Sequence, residues 1–336
     1  MAYEQSNSIA PPISDVFAML WLRVTLTACT GGRLPPALGT TVHGALGRAL
    51  KLAACAFPNP ATLPCTGCRL LAHCPYPRLF EPQYAVSSGS VPPPALLVAP
   101  GTPLATTIVP GTLVRLELGL IGRAVAALPL LLAALARMVE TGLGPQRTQF
   151  AIDRVDALNA GGEPGYDVQV GGTIAGQMPR SLTAASWRDL ATRQAGAMNN
   201  VRLQVRTRLR LQREGLTNAD PPSFVDLVRA LVRRSDILAR VYCAECDPFP
   251  DPRHWLQAAE DVSLASARLH WQEHKRRSTS TGHTMPLDGF VGSLRYTAPA
   301  AQLAPFLPLL YLGEAIGVGR GCSFGNGRYR MVADPR

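Results

Sequence analysis

The sequence predicts an α+β protein of two domains, and three observations carry that expectation. Its 336 residues suit two hydrophobic cores better than one. Strand-type alternation and helix-type spacing take turns along the chain instead of segregating. The pattern also restarts near Val201, and from there it reads strand, helix, strand, strand, helix, strand.

The first half is read in order. Residues before Asp15 form a polar, proline-containing tail. Val16 to Cys29 is a strand, with Leu20, Leu22, Val24 and Leu26 on one face and Trp21, Arg23, Thr25 and Thr27 on the other. A Gly31-Gly32 turn leads to a helix over Thr40–Cys55, capped by Thr40 or Thr41. From Cys55 to Pro82 periodicity gives way to Pro, Gly and Cys, so residues 55–82 read as an insertion. Thr112–Ile121 is a strand in which Leu113, Arg115, Glu117 and Gly119 alternate with Val114, Leu116, Leu118 and Leu120. A helix over Leu128–Glu140, with Pro129 in its first turn, and strands at Gln149–Val155 and Tyr166–Val170 follow.

The join between domains falls within Ala184–Asn199, giving domains over residues 15–185 and 199–336. Val201–Leu211 then alternates strictly, with Arg202, Gln204, Arg206, Arg208 and Arg210 on one face. Ser223 caps a helix running to Cys243, on which Phe224, Leu227, Leu231 and Leu238 recur at helical spacing. Strands at Ala258–Trp271 and Gly289–Tyr296, a helix at Ala301–Ile316 and a last strand at Arg328–Val332 complete the second half.

A net charge of +10, carried mostly by arginine, favours an anionic partner. The apolar run Ala124–Ala136 is about thirteen residues against the roughly twenty a membrane span needs. No membrane role and a cytoplasmic location are expected. Eight cysteines without a signal peptide point to reduced thiols or metal, not a disulfide framework.

The densest functional signal lies near the end. Gly317, Gly319, Gly321, Gly325 and Gly327 fall in an eleven-residue window threaded by Arg320 and followed by Arg328 and Arg330. Such density lets backbone amides turn toward a ligand, and the loop reads as a phosphate cradle. A helix precedes it and a strand follows, the reverse of a dinucleotide fingerprint, and a Walker loop needs a lysine that is absent. Arginines beside the loop favour a polymer backbone over a nucleotide, the competing reading being a plain chain-reversing turn.

GVGRGCSFGNGRYRM resembles the C-terminal glycine-rich motif of the CRISPR-associated endoribonucleases that cut precursor repeat RNA, members of the RAMP superfamily. VRLQVRTRLRLQREG, SFVDLVRALVRRSDILARVY, the WQEHKRRSTSTG and GFVGSLRY segments, and in outline LTACTGGRLPPALGTTVHGALGRAL and LGLIGRA, extend the likeness over most of the chain. The resemblance implies two tandem ferredoxin-like (RRM-like) βαββαβ domains, the first carrying the cysteine-rich insertion. It also implies cleavage without a metal or other cofactor: a 2′-hydroxyl attacks the adjacent phosphate and leaves a 2′,3′-cyclic phosphate and a 5′-hydroxyl. Repeat RNA, hairpin or single-stranded, is the implied partner, with other CRISPR effector subunits beside it.

That chemistry needs a proton acceptor, a proton donor and a cation. The family's histidine often lies on the first helix, where this chain has His43. Lys51 lies about 80° around the helix from it and Arg48 about 140°, making Lys51 the better cation. The family's frequent tyrosine has no counterpart between Ala28 and Leu38. His274 and His283 flank Lys275, Arg276, Arg277 and Ser278 and are also able to approach a phosphate, while His254 and His270 read as packing or surface. RNA contacts are assigned to the glycine loop with Arg320 and Arg328, to Lys275–Ser278, and to Arg206 and Arg208. At 6% aromatic content, grip by charge and shape is expected over base stacking.

Cys55, Cys65, Cys68 and Cys74 are spaced C-x9-C-x2-C-x5-C, a set able to close a structural zinc, with His73 as a substitute ligand and free thiols as the alternative. Cys243 and Cys246 form another C-x2-C that has no second half. The rival to an enzyme is a non-catalytic RAMP subunit that grips guide RNA inside an effector complex.

Overall fold

The computed structural model describes residues 13–60, 63–82, 91–100, 107–194, 198–213, 216–217, 220–243, 252–277 and 284–332. In the first domain, strand β1 (Ala18–Ala28) is followed by helix α1 (Leu38–Ala54), strands β2 (Leu96–Pro100) and β3 (Leu113–Ile121), helix α2 (Leu128–Thr141) and strand β4 (Phe150–Leu158). The sheet order is β2-β3-β1-β4, all antiparallel, and β5 (Pro164–Val170) extends it beyond β4. In the second, β6 (Asn200–Leu209), α4 (Phe224–Tyr242), β7 (Ser263–Gln272), β8 (Gly289–Thr297), α6 (Leu307–Ile316) and β9 (Tyr329–Val332) form a sheet in the order β7-β8-β6-β9. Helix α3 (Ala184–Gln194) links the two sheets, and α5 (Pro252–Ala259) precedes β7. Both units are ferredoxin-like, as expected.

The alternation on β1 has two uses. Leu20, Leu22, Val24 and Leu26 are buried under α1 and α2 in the first core. Met19 and Trp21 point the other way and join a second core built mainly from α4, α6, β6 and β8. Each domain was expected to bury its own core. Instead the second core takes Met19, Trp21, Leu97, Ile121 and Leu158 from the first domain.

Several boundaries move for physical reasons. The expected join at Ala184–Asn199 is helical through Gln194, because Ala184, Trp187 and Ala191 recur on one face and bury it. The strand expected from Ala258 begins at Ser263, since Trp255 and Ala259, one turn apart, anchor helix α5. Helix α1 starts at Leu38, ahead of the expected caps, and the Thr40 hydroxyl donates to the Ala37 carbonyl at 2.8 Å. Ser223 does cap α4, accepting from the Asp226 amide at 3.2 Å. The apolar run at Ala124–Ala136 belongs to a longer helical stretch, Gly122–Thr141, whose 20 residues are by length and composition enough to cross a membrane. Its Leu131, Leu135 and Met138 are spent on the first core.

Candidate functional site

Where the two domains meet, α1 runs against the glycine loop that precedes β9. Gly39, in the first turn of α1, has no side chain to hold off the loop: a Cβ there would sit 2.1 Å from the Phe324 carbonyl oxygen. One turn further, His43 is half-buried between two phenylalanines. The Phe80 ring lies 4.2 Å from the imidazole and the Phe324 ring 4.7 Å, centroid to centroid. The guanidinium of Arg276, on a hairpin of Lys275–Arg277 against Thr284–Pro286, stands 4.1 Å from the centroid of the Phe324 ring.

This setting fixes the charge of His43. Burial between the rings, and then the positive charge of Arg276, lower its pKa from 6.5 to about 3, so the imidazole is neutral at ordinary pH. A neutral imidazole beside a fixed cation can accept a proton while the cation faces an anion.

The glycine loop serves this geometry by packing. Gly317, Gly319, Gly321, Gly325 and Gly327 all have positive φ. A Cβ would meet the Val318 oxygen at 1.8 Å from Gly327, the Arg210 oxygen at 2.4 Å from Gly319 and Pro100 at 2.7 Å from Gly325. The amides of Gly317, Val318, Arg320, Phe324, Gly325, Asn326, Gly327 and Arg328 already donate within the protein. The expectation of a cradle of free amides is corrected accordingly: these amides hold the loop in shape. Asn326, buried, donates to the Leu287 carbonyl at 3.2 Å and ties the loop to the base of the Arg276 hairpin. That base is held further by the Leu287 amide on the His274 carbonyl at 2.7 Å and by Arg210 on Asp288 at 3.1 Å.

The two arginines after the loop turn inward. Arg328 donates to Glu117 at 2.7 Å and to the Ala315 carbonyl. Arg330 bridges Glu117 at 2.8 Å and Glu314 at 2.7 Å and lies 4.9 Å over the Trp21 ring. Arg23 reaches Glu117 at 3.5 Å and the Gly162 carbonyl at 2.7 Å. Burial disfavours the Glu117 carboxylate, but Arg328, Arg330 and Arg23 outweigh it and hold its pKa below the usual value. Arg328, expected to contact RNA, is therefore enclosed and paired; it clamps the domains together.

Other expected residues fall in different places. Lys51 does not stand with His43: its ammonium donates to the Leu63 carbonyl at 2.6 Å and lies 5.9 Å over the Tyr76 ring, facing the cysteine insertion. Arg276 is the cation near His43 instead. Lys275 and Arg320 are exposed, and Arg206 is exposed beside the Glu117 network. Arg208 gives its carbonyl to the Gly327 amide at 3.0 Å, and its Nε is buried without a partner among the described residues. Of Arg277 only the backbone is described, and Ser278 and His283 lie outside the described residues. His274, beside Arg208, is pushed below its ordinary pKa by burial first.

Cys55, Cys65, Cys68 and Cys74 line one cavity of about 430 Å³ together with Lys51 and Tyr76. Among the described residues, however, no three His, Cys, Asp or Glu side chains converge as metal ligands, so the zinc set does not fit this geometry. Cys246 lies outside the described residues, and Cys243 has its thiol on the Ala18 carbonyl at 3.6 Å.

Phe324, Phe80 and Glu117 were missed as site residues. The signals were an aromatic inside a run of glycines, and an acid alternating onto the face of β3 opposite its core side chains.

Residues 203–329 match the family model of the CRISPR-associated endoribonuclease Cas6. Residues 17–180 match a second model, described as an N-terminal domain. No curated protein matches the sequence. Among solved structures, a Cas6 product complex is 16% identical, covering 94% of this chain and 99% of that one, with a TM-score of 0.53. Cas6 from Thermus thermophilus is 15% identical over 94% and 99% of the two chains, with a TM-score of 0.52. A partial Cas6-RT-Cas1–Cas2 complex is 12% identical over 96% of this chain and 47% of that one, with a TM-score of 0.57. At such identities these likenesses speak for the fold, and the family match is that of residues 203–329, which resemble the CRISPR-associated endoribonuclease Cas6.

Proposed function

We propose that this protein cleaves CRISPR precursor RNA within its repeats to release guide RNAs, using His43 and Arg276 and no metal ion. The observation that carries the reading is the neutral His43 imidazole held across the domain boundary from the Arg276 guanidinium, both in contact with the Phe324 ring. His43 takes the proton of the 2′-hydroxyl as its oxygen attacks phosphorus, and the bond to the 5′-oxygen breaks. The products are a 2′,3′-cyclic phosphate and a 5′-hydroxyl, the leaving oxygen taking its proton from solvent water and His43 returning its own to solvent afterwards. Arg276 faces the negative charge of the pentavalent phosphorane. A phosphodiester bound beside Arg276 also offsets its repulsion and raises the basicity of His43 toward a useful value.

Exposed Arg320, in the loop, and Lys275, on the hairpin tied to it, offer phosphate contacts that add grip without sequence preference. The Cas6 structures include an RNA product complex and an assembly with Cas1–Cas2, which supports repeat RNA and other CRISPR proteins as partners. A cytoplasmic location accords with this role.

The reading of a guide-RNA-gripping subunit without catalysis is favoured by one observation. Lys51 is turned away, leaving Arg276, among the described residues, as the cation acting on a weakly basic histidine. Incubation with repeat RNA in EDTA separates the two. Discrete cutting to cyclic-phosphate ends supports the enzyme; binding without cutting supports the subunit.

A further inference from the structure

We infer that Phe324 is a positioning residue for this cleavage: its ring, in contact with both the His43 imidazole of one domain and the Arg276 guanidinium of the other, holds both groups at a single phosphate. The inference rests on the cleavage reading and adds a residue to it.

The loop is built to present this ring. Phe324 closes a single helical turn, Cys322–Phe324, bracketed by Gly321 at φ 74° and Gly325 at φ 79°. Its amide donates to the Gly321 carbonyl at 2.9 Å, and its own carbonyl occupies the space left open by Gly39 on α1. Asn326 ties the same turn to the hairpin that carries Arg276. The ring is thereby fixed against both domains, yet it belongs to neither core and is only half-buried. A side chain kept for packing alone would be enclosed; this one touches both His43, edge to ring at 4.7 Å, and Arg276, at 4.1 Å.

Its physical effect follows from position. The ring and that of Phe80 together keep water from His43, and the imidazole stays neutral. It also fixes the guanidinium plane by cation–π contact, so the cation is pre-oriented before RNA arrives. Other charges near α1 do not compete: Arg48 is exposed, Lys51 faces Leu63 and Tyr76, and Glu81 acts on Tyr76. Arg276 is the charged group acting on His43 among the described residues.

The test compares Phe324→Ala, which removes the ring and lets water reach His43, with Phe324→Tyr and Phe324→Trp, which keep the ring. His43 is followed by NMR titration of labelled histidine in RNA-free protein, and cleavage by single-turnover rates on repeat RNA across pH. In the native protein and both aromatic variants His43 stays neutral down to about pH 3. In Phe324→Ala its titration moves up toward the ordinary 6.5, the acid limb of the rate profile moves up with it, and the rate falls roughly tenfold while RNA affinity holds. Unchanged His43 titration in Phe324→Ala, or loss of function equally severe in the aromatic variants, overturns the inference. Binding of repeat RNA without any cutting by the native protein would instead sink the cleavage reading, and the titration would still decide whether Phe324 controls His43.

Discussion

Arg328 and Glu117, 211 residues apart in sequence, meet at 2.7 Å in the closed space between the two sheets, where both side chains are less than a tenth exposed. An ion pair so enclosed has lost its hydration, and either partner left alone would be an uncompensated charge. Arg330 and Arg23 converge on the same carboxylate, so Glu117 is the common centre of the contact between domains.

Glu117→Ala is accordingly expected to cost about 3–5 kcal/mol of unfolding free energy, the usual result of stripping one partner from a buried pair. The sign with pH follows from its lowered pKa. Stability from this carboxylate is complete above the unfolded value of 4.5 and is lost as pH falls through the lower folded value. Denaturant midpoints at pH 7 and below 4 should therefore differ less in Glu117→Gln than in the native protein.

His43→Ala should abolish repeat cleavage while leaving RNA affinity intact, read by product gels and filter binding on one preparation. Because the imidazole is already neutral, native cleavage should show no acid limb attributable to free His43 between pH 5 and pH 8. A limb near 6.5 in the free enzyme would place the working base elsewhere.

Gly39→Ala is the sharpest probe of the contact between α1 and the glycine loop. Its methyl would lie 2.1 Å from the Phe324 carbonyl, a backbone atom that cannot swing away. A stability loss of about 1–3 kcal/mol is expected from the overpacking. The cleavage rate should fall further than RNA affinity does, since the ring facing His43 moves with that carbonyl.

Lys51→Ala should leave cleavage close to native and change stability by about 0.5 kcal/mol or less, as for an exposed contact. The measurement is direct, because Lys51 looked from helical spacing like the partner of His43. A drop comparable to that of His43→Ala would return it to the site.

The sheets were legible because their strands alternate cleanly: Leu20 to Leu26 on β1, and Val201, Leu203 and Val205 on β6, report their buried faces by composition. The helix that carries His43 was legible as well. What was not legible depends on pairing across long separations. Nothing local shows that Arg328 pairs with Glu117 or that Trp21 turns into the other domain's core. The loop's glycines announced a special backbone, but the same residue type serves an open cradle and a tightly packed turn, and only the neighbours distinguish them. Lys51 failed for a related reason: an angle on a helical wheel omits the Cys55–Pro82 insertion that draws its ammonium away.

The sharing of Met19, Trp21 and Leu97 with the second core bears on how the molecule can be taken apart. Expressed alone, the leading half would show these side chains to water as a sticky apolar face, and the trailing half would lack the plug that fills its interior. Dissection into separate modules should yield aggregates, whereas the intact chain should melt in one cooperative step.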